Sequence, residues 1–150
     1  MSKIAVGCDH GGIVLKESVI STLKRLGAEV VDLGCYSTDS VDYPEYGLKV
    51  ANAVASGECE AGVIMCGTGI GISIAANKVK GIRAAVVTNE YMAKLTKNHN
   101  NANIIALGGR VITPEEAEKI VETWYTAEYE GGRHQRRLDI ISRIEDENFK

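Results

Sequence analysis

A thiol and a glycine-rich loop stand together at Cys66-Gly67-Thr68-Gly69-Ile70-Gly71. Gly-x-Gly-x-Gly at the opening of a helix presents main-chain N–H groups with no side chains in the way. That makes an anion site, which the helix dipole strengthens. A helix start can favour a thiolate, so Cys66 is a candidate base or nucleophile. A buried cysteine closing a strand would look the same in sequence. Thr68 can hydrogen-bond the sulfur or a ligand. Two familiar uses of glycine loops fail on spacing. A dinucleotide fingerprint needs a third glycine, and a Cys-x5-Arg phosphatase loop needs an arginine, where Ile72 stands.

Asp9-His10 closes another apolar run and offers a carboxylate and an imidazole for proton transfer. Gly11 excludes the Asp-x-Asp of aspartyl-phosphate enzymes. The plainer alternatives are a helix cap for Asp9 and a surface loop for His10. Arg110 follows Gly108-Gly109, and Arg133 and Arg137 are spaced to share one helix face. Two guanidiniums on one face suit a phosphate, although a charged run is also the ordinary composition of a solvated face. His99 ends a helical stretch, where it would cap the dipole. A helix running back from the carboxyl ends of the strands puts His99 near the opposite edge of its own sheet, so a catalytic His99 serves a neighbouring subunit more easily than its own.

The elements that must hold these groups alternate. Strand-like runs are expected over 3–8, 29–33, 61–66, 82–87 and 103–107. Helices are expected over 13–26, 44–56, 70–78, 89–98 and 114–125, with a last one from Gly131 onward. Thr113-Pro114-Glu115-Glu116 has the residues of a capping box. Gly27 and Gly57 fit helix stops. Five strands alternating with helices imply a parallel α/β sheet covered on both faces, plus a C-terminal helical tail. In such sheets ligands bind at the carboxyl ends of the strands. Cys8-Asp9-His10, the Cys66 loop and Gly108-Gly109-Arg110 all fall on that rim.

At 150 residues the chain suits one domain, and it buries roughly 68–70% of its unfolded surface without a disulfide or metal staple. With 45% apolar and 25% charged residues it is an ordinary globular sequence, not a disordered or fibrous one. Its net charge of −3 argues against nucleic acid as a partner. The four cysteines form no Cys-x-x-Cys pair and no zinc spacing, so no metal is expected. The opening Met1-Ser2-Lys3-Ile4-Ala5-Val6 has no signal-peptide pattern, and no apolar run approaches the roughly 20 residues of a membrane span. A cytoplasmic protein with reduced thiols is the expectation, with no membrane partner. There is no internal repeat.

Gly7-Cys8-Asp9-His10-Gly11-Gly12, Asp42-Tyr43-Pro44, Cys66 through Ser73, Arg83-Ala84, His99-Asn100, Asn103 and Gly131-Gly132-Arg133-His134, in that order, resemble the type B ribose-5-phosphate isomerases. The resemblance covers essentially the whole chain. It implies a Rossmann-like three-layer fold, a homodimer or dimer of dimers with intersubunit sites, no cofactor, and interconversion of ribose 5-phosphate and ribulose 5-phosphate. By the same resemblance Cys66 is the base that moves a proton between C2 and C1, and Thr68 assists it. The amides of Gly67, Gly69, Ile70 and Gly71 hold the enediolate, and His99, with Asp9 nearby, opens the sugar ring. Tyr43 and Asn100 contact hydroxyls. His10, Arg110, Arg133 and Arg137 surround the phosphate, with His134 beside them. Isomerases of six-carbon sugar phosphates (allose or galactose 6-phosphate) are the near alternative. A sugar-phosphate sensor without turnover is the alternative from another class.

Overall fold

Alternation of apolar residues along the strands sorts the interior into two layers. The computed structural model describes residues 2–149; Met1 and Lys150 lie outside them. The strands are β1 Lys3–Cys8, β2 Glu29–Asp32, β3 Ala61–Cys66, β4 Ala84–Val86 and β5 Ile104–Gly108. The helices are α1 Ile13–Arg25, α2 Tyr43–Ala55, α3 Ile70–Ala76, α4 Glu90–Asn98, α5 Pro114–Thr126 and α6 Arg133–Asn148. Ile4, Val6, Cys8, Val63, Met65, Ile105 and Leu107 face one way and pack under α1, α4 and α5. Ala5, Ile64, Cys66, Ile104 and Ala106 face the other way, toward α2 and α3. A period of two on a sheet buried on both faces gives this division.

All pairings are parallel and the order is β2-β1-β3-β5-β4. From β1 the chain moves outward to β2, then returns to place β3 on the other side of β1. The direction of winding thus changes between β1 and β3. Such a switch point, beside the loops that leave the carboxyl ends of the strands, is where open α/β sheets bind ligands. The Asp9-His10 loop and the Cys66 loop are its two lips.

The ends of the elements follow local chemistry. Thr113 and Glu116 form the expected capping box on α5, and Asn89 Oδ1 caps α4 through the Met92 N–H at 2.9 Å. Gly27 and Gly57 have φ of 95° and 85°, the left-handed turn that ends α1 and α2. Trp124, wholly buried on α5, donates from Nε1 to Ala102 O at 3.3 Å and ties that helix to the chain entering β5. The edge strand β4 keeps only 84–86 of the expected 82–87, because one neighbour alone fixes its ladder. Strand β2 ends at Asp32 and α3 at Ala76, one and two residues earlier than the sequence suggests. The expected helical tail is α6, which buries only His134 and Leu138. Among the described residues no helix is long and apolar enough to cross a membrane.

Candidate active site

Cys66 is the last residue of β3, at the carboxyl end of the strand, and is 5% exposed. Its Sγ accepts the Gly69 N–H at 3.1 Å, which fixes how the sulfur presents its lone pairs. Gly69 reaches this position with φ of 84°, and a Cβ added there would stand 3.1 Å from the main chain of Leu107 and 3.2 Å from that of Ala106. A side chain there would meet both a strained backbone and that strand. Thr68 Oγ1 accepts the Ile70 N–H at 3.1 Å, so the hydroxyl keeps its own proton to donate. The N–H groups of Gly67 and Thr68 make no hydrogen bond among the described residues. These two are free to meet an oxyanion beside the thiol, whereas the Gly69 and Ile70 amides, expected to do so, are taken up by the sulfur and by Thr68 Oγ1.

The other lip closes on this one. Asp9 is 6% exposed, and its Oδ1 accepts the N–H groups of Gly11 at 2.8 Å and Gly12 at 3.0 Å. Gly12, not Asp9, is the N-cap of α1, so the carboxylate clasps its own loop instead of capping the helix. A Cβ on Gly11 would stand 3.0 Å from Gly67 N, which measures how closely the two loops approach. His10 Nδ1 accepts the Val41 N–H at 3.1 Å. In the neutral ring the proton is then on Nε2, which is left as a donor. Val41 belongs to a loop pinned from below: Lys16 Nζ donates to Cys35 O at 2.8 Å and pairs with Asp32 Oδ2 at 2.8 Å.

Two more groups lie over the glycines. Arg110 N donates to Gly67 O at 2.9 Å, and its guanidinium covers Gly67 so closely that a Cβ would stand 2.7 Å from Nη1. The Tyr43 ring covers Gly71 in the same way, again at 2.7 Å. Ile70 is exposed on the outer side of the loop. The carboxyl rim therefore gathers Asp9, His10, Tyr43, Cys66, Thr68, the glycine loop and Arg110. Two of the other thiols, Cys8 and Cys59, are poorly suited to acid–base work near neutral pH. Burial and the neighbouring Cys35 push Cys8 up to about 12, and burial raises Cys59 as well.

His99, Asn100, Arg133, His134 and Arg137 are elsewhere. His99 follows α4 as its C-cap, and the chain then enters β5 at the amino edge of the sheet, where Gly62 N donates to Asn103 O at 2.9 Å. From Gly62 to Cys66 the strand alone covers about 13 Å. His99 and Cys66 of one chain stand at opposite edges, as the helix direction leads one to expect. His99 stacks on His134 with ring centroids 4.2 Å apart and planes 13° from parallel. Asn98 Nδ2 donates to Glu128 O at 2.6 Å and Glu130 N donates to Asn98 O at 3.0 Å, which seats the start of α6 beside His99. Arg133 and Arg137 extend from that start into solvent.

His134 Nε2 is buried, lies 3.5 Å from Glu130 Oε1 and makes no hydrogen bond. Burial lowers the pKa of this imidazole, with His99, Arg133 and Arg137 acting in the same direction and Glu130 opposing them. His99, Glu130 and His134 offer ligand atoms within 4.8 Å of one another. The stacked rings hold their lone pairs in nearly parallel planes, so the set does not converge on a tetrahedral ion. Glu130, and the anchor that Val41 gives His10, are contacts the sequence did not single out. A hollow of about 540 Å³ lies on this amino edge, lined by Ile4, Glu60, Arg83, Lys97 and Trp124 among others, away from the thiol.

Comparison with known proteins covers the same residues. The sequence model described as Ribose/Galactose Isomerase matches residues 4–141. The ribose-5-phosphate isomerase B of Escherichia coli (strain K12) is 51% identical over 145 residues, 97% of each chain. The solved ribose-5-phosphate isomerase B of Clostridium thermocellum is 56% identical, with a TM-score of 0.94 over 97% of this chain and 98% of that one. That of Mycoplasma genitalium, solved with bound ribulose-5-phosphate, is 43% identical with a TM-score of 0.92 over 97% of each chain. A parallel sheet wound in this order, a thiol at its switch point and a match along nearly the whole length place the chain in the ribose/galactose isomerase family.

Proposed function

We propose that this chain interconverts ribose 5-phosphate and ribulose 5-phosphate, with Cys66 of one protomer and His99 of a second acting on the same sugar. The observation that carries the reading is Cys66 at the β1/β3 switch point, its Sγ set by the Gly69 N–H and flanked by the free amides of Gly67 and Thr68. An open-chain aldose must lose its C2 proton to become a ketose. The thiolate of Cys66 takes that proton, and the electron pair moves through C1 onto the carbonyl oxygen. The resulting enediolate oxygen sits where the free amides point, and losing one such donor costs about 2.7–4 kcal/mol. The proton carried by sulfur then returns to C1, while the O2 proton shifts to O1.

Ribose 5-phosphate rests as a furanose, so a separate group must open it. His99 serves as that acid–base group. Arg110 and the Nε2–H of His10 bind the phosphate from one chain; Arg133 and Arg137 bind it from the other, with His134 beside them. That phosphate is remote from C1 and C2, so its binding energy positions them. Tyr43 and Asn100 contact hydroxyls, and Asp9 holds its lip of the site in shape. Because His99 and Cys66 occupy opposite edges of one sheet, the reading requires at least a dimer. Exposed Ile70 and Ile74 on α3 and Ile140, Ile141 and Ile144 on α6 supply apolar surface for it. Comparing kcat/KM for ribose 5-phosphate with allose 6-phosphate and galactose 6-phosphate tests the substrate. A preference for a six-carbon sugar would replace it, and saturable binding without turnover of any would make the chain a sensor.

A further inference from the structure

The turn that carries His99 and Asn100 is held by a residue from another part of the chain. Arg83, one position before β4, donates from Nε at 3.1 Å and Nη2 at 2.9 Å to a single acceptor, the carbonyl of Asn101. Its main-chain N–H donates to Asn103 Oδ1 at 2.8 Å, and Asn103 Nδ2 donates to Gly81 O at 2.9 Å. The segments 81–83 and 101–103 are thus clamped by four hydrogen bonds, three of them from Arg83. Asn101 is the only non-glycine residue with positive φ among the described residues, at 45°. That conformation reverses the chain, and Asn101 N and Ala102 N return to Lys97 O and Thr96 O at 3.2 and 3.0 Å. A left-handed residue costs free energy unless its surroundings hold it. The guanidinium fork on its carbonyl is such a restraint.

Asn98 is tied to Glu128 and Glu130, and Ala102 to Trp124, but among the described residues only Arg83 bonds the Asn101 carbonyl between them. Asn100 is exposed, and His99 is half-buried with its ring resting on His134. We propose that Arg83 is a positioning residue: by fixing the Asn101 carbonyl it sets where His99 and Asn100 stand toward the sugar in the partner's site. This rests on the reading of His99 as the ring-opening group. The planar fork matters more than the charge. A lysine has one donor nitrogen and cannot reproduce two converging N–H bonds of fixed direction.

The chemistry of the two substrates separates this role from general support. Ribulose 5-phosphate cannot close a furanose, because its O5 carries the phosphate. Exchange of its C1 proton with solvent deuterium therefore needs Cys66 but no ring opening. Conversion of ribose 5-phosphate needs both. Arg83→Ala and Arg83→Lys are assayed in both ways by NMR in D2O, beside His99→Ala, at a temperature where melting curves show each folded. The expected result is a loss of about 10–100-fold in aldose conversion, the scale of a small misplacement of a catalytic group, with C1 exchange at saturating ribulose 5-phosphate within about twofold of the unmodified protein. His99→Ala should show the same split. If His99→Ala splits the two assays and the Arg83 variants do not, whether by keeping both rates or losing both equally, Arg83 has no positioning role. If His99→Ala itself loses both rates equally, the ring-opening reading fails, and the proposal with it. Should Arg83→Ala not fold, Arg83→Lys alone decides.

Discussion

A methyl group added at Gly67 would stand 2.7 Å from Nη1 and 3.4 Å from Cζ of Arg110, with no other atom so close. Gly67 has no positive φ, so alanine fits its backbone. The obstacle is the far end of a flexible, exposed side chain, which can swing aside. Gly67→Ala should therefore leave the fold nearly intact while displacing the guanidinium. To move from 2.7 Å to an ordinary contact beyond 3.4 Å, Nη1 must retreat by at least about 0.7 Å. A hydrogen bond to a charged group contributes about 1.5–3 kcal/mol, and losing half to two-thirds of it costs about 1–2 kcal/mol. That is about 5–30-fold in kcat/KM, read in both KM and kcat because the phosphate also positions C1 and C2. The assay is steady-state kinetics on ribose 5-phosphate beside a thermal melt, repeated in an Arg110→Ala background. If the methyl group acts through Arg110, its effect on kcat/KM should largely vanish there. Gly109→Ala is the contrasting control: its Cβ would fall on the main-chain oxygen of Gly11, which cannot swing aside, so that variant should melt well below Gly67→Ala. A folded Gly67→Ala with unchanged kcat/KM, or the same loss with Arg110 already removed, would refute the reasoning.

Other outcomes follow from the split site and from His134. Mixing Cys66→Ala and His99→Ala chains under subunit exchange should restore part of the activity that each lacks alone, since one site of the hybrid keeps both groups. No recovery after confirmed exchange would put His99 in its own chain's site. Burial holds the His134 pKa below the usual 6.5, so the unfolded chain binds the extra proton first as pH falls. This side chain's contribution to stability is complete above pH 6.5 and is lost as pH falls toward the folded value. Melting curves from about pH 8 to pH 5 should show a flatter acid-side decline for His134→Gln than for the unmodified chain; an equally steep decline would assign the acid sensitivity to other groups.

What the sequence made legible was local or carried by period. The capping box at Thr113, the glycine stops at Gly27 and Gly57 and the apolar runs of β1, β3 and β5 are short-range signals, and each appears where expected. That Cys66 lies on the carboxyl rim and His99 on the opposite edge follows from chain direction alone. The strand order is different in kind. Nothing in β3 states that it pairs with both β1 and β5, because its apolar run would suit any interior position. The switch point between the two lips depends on that order. Contacts across many residues were hidden for the same reason: Val41 on His10, Lys16 on the loop after β2, and Arg83 on Asn101. Asp9 shows a finer limit. Its type suited a helix cap, but a three-residue turn lies between it and α1, so its carboxylate serves the turn.

Proton transfer at Cys66 is the step on which isomerisation turns. Ribose 5-phosphate incubated in D2O with the purified chain and no added metal should yield ribulose 5-phosphate carrying deuterium at C1, followed by NMR. Folded Cys66→Ala should give neither product nor exchange above the uncatalysed rate. Turnover by Cys66→Ala at the rate of the unmodified chain would contradict the assignment of that thiol as the base.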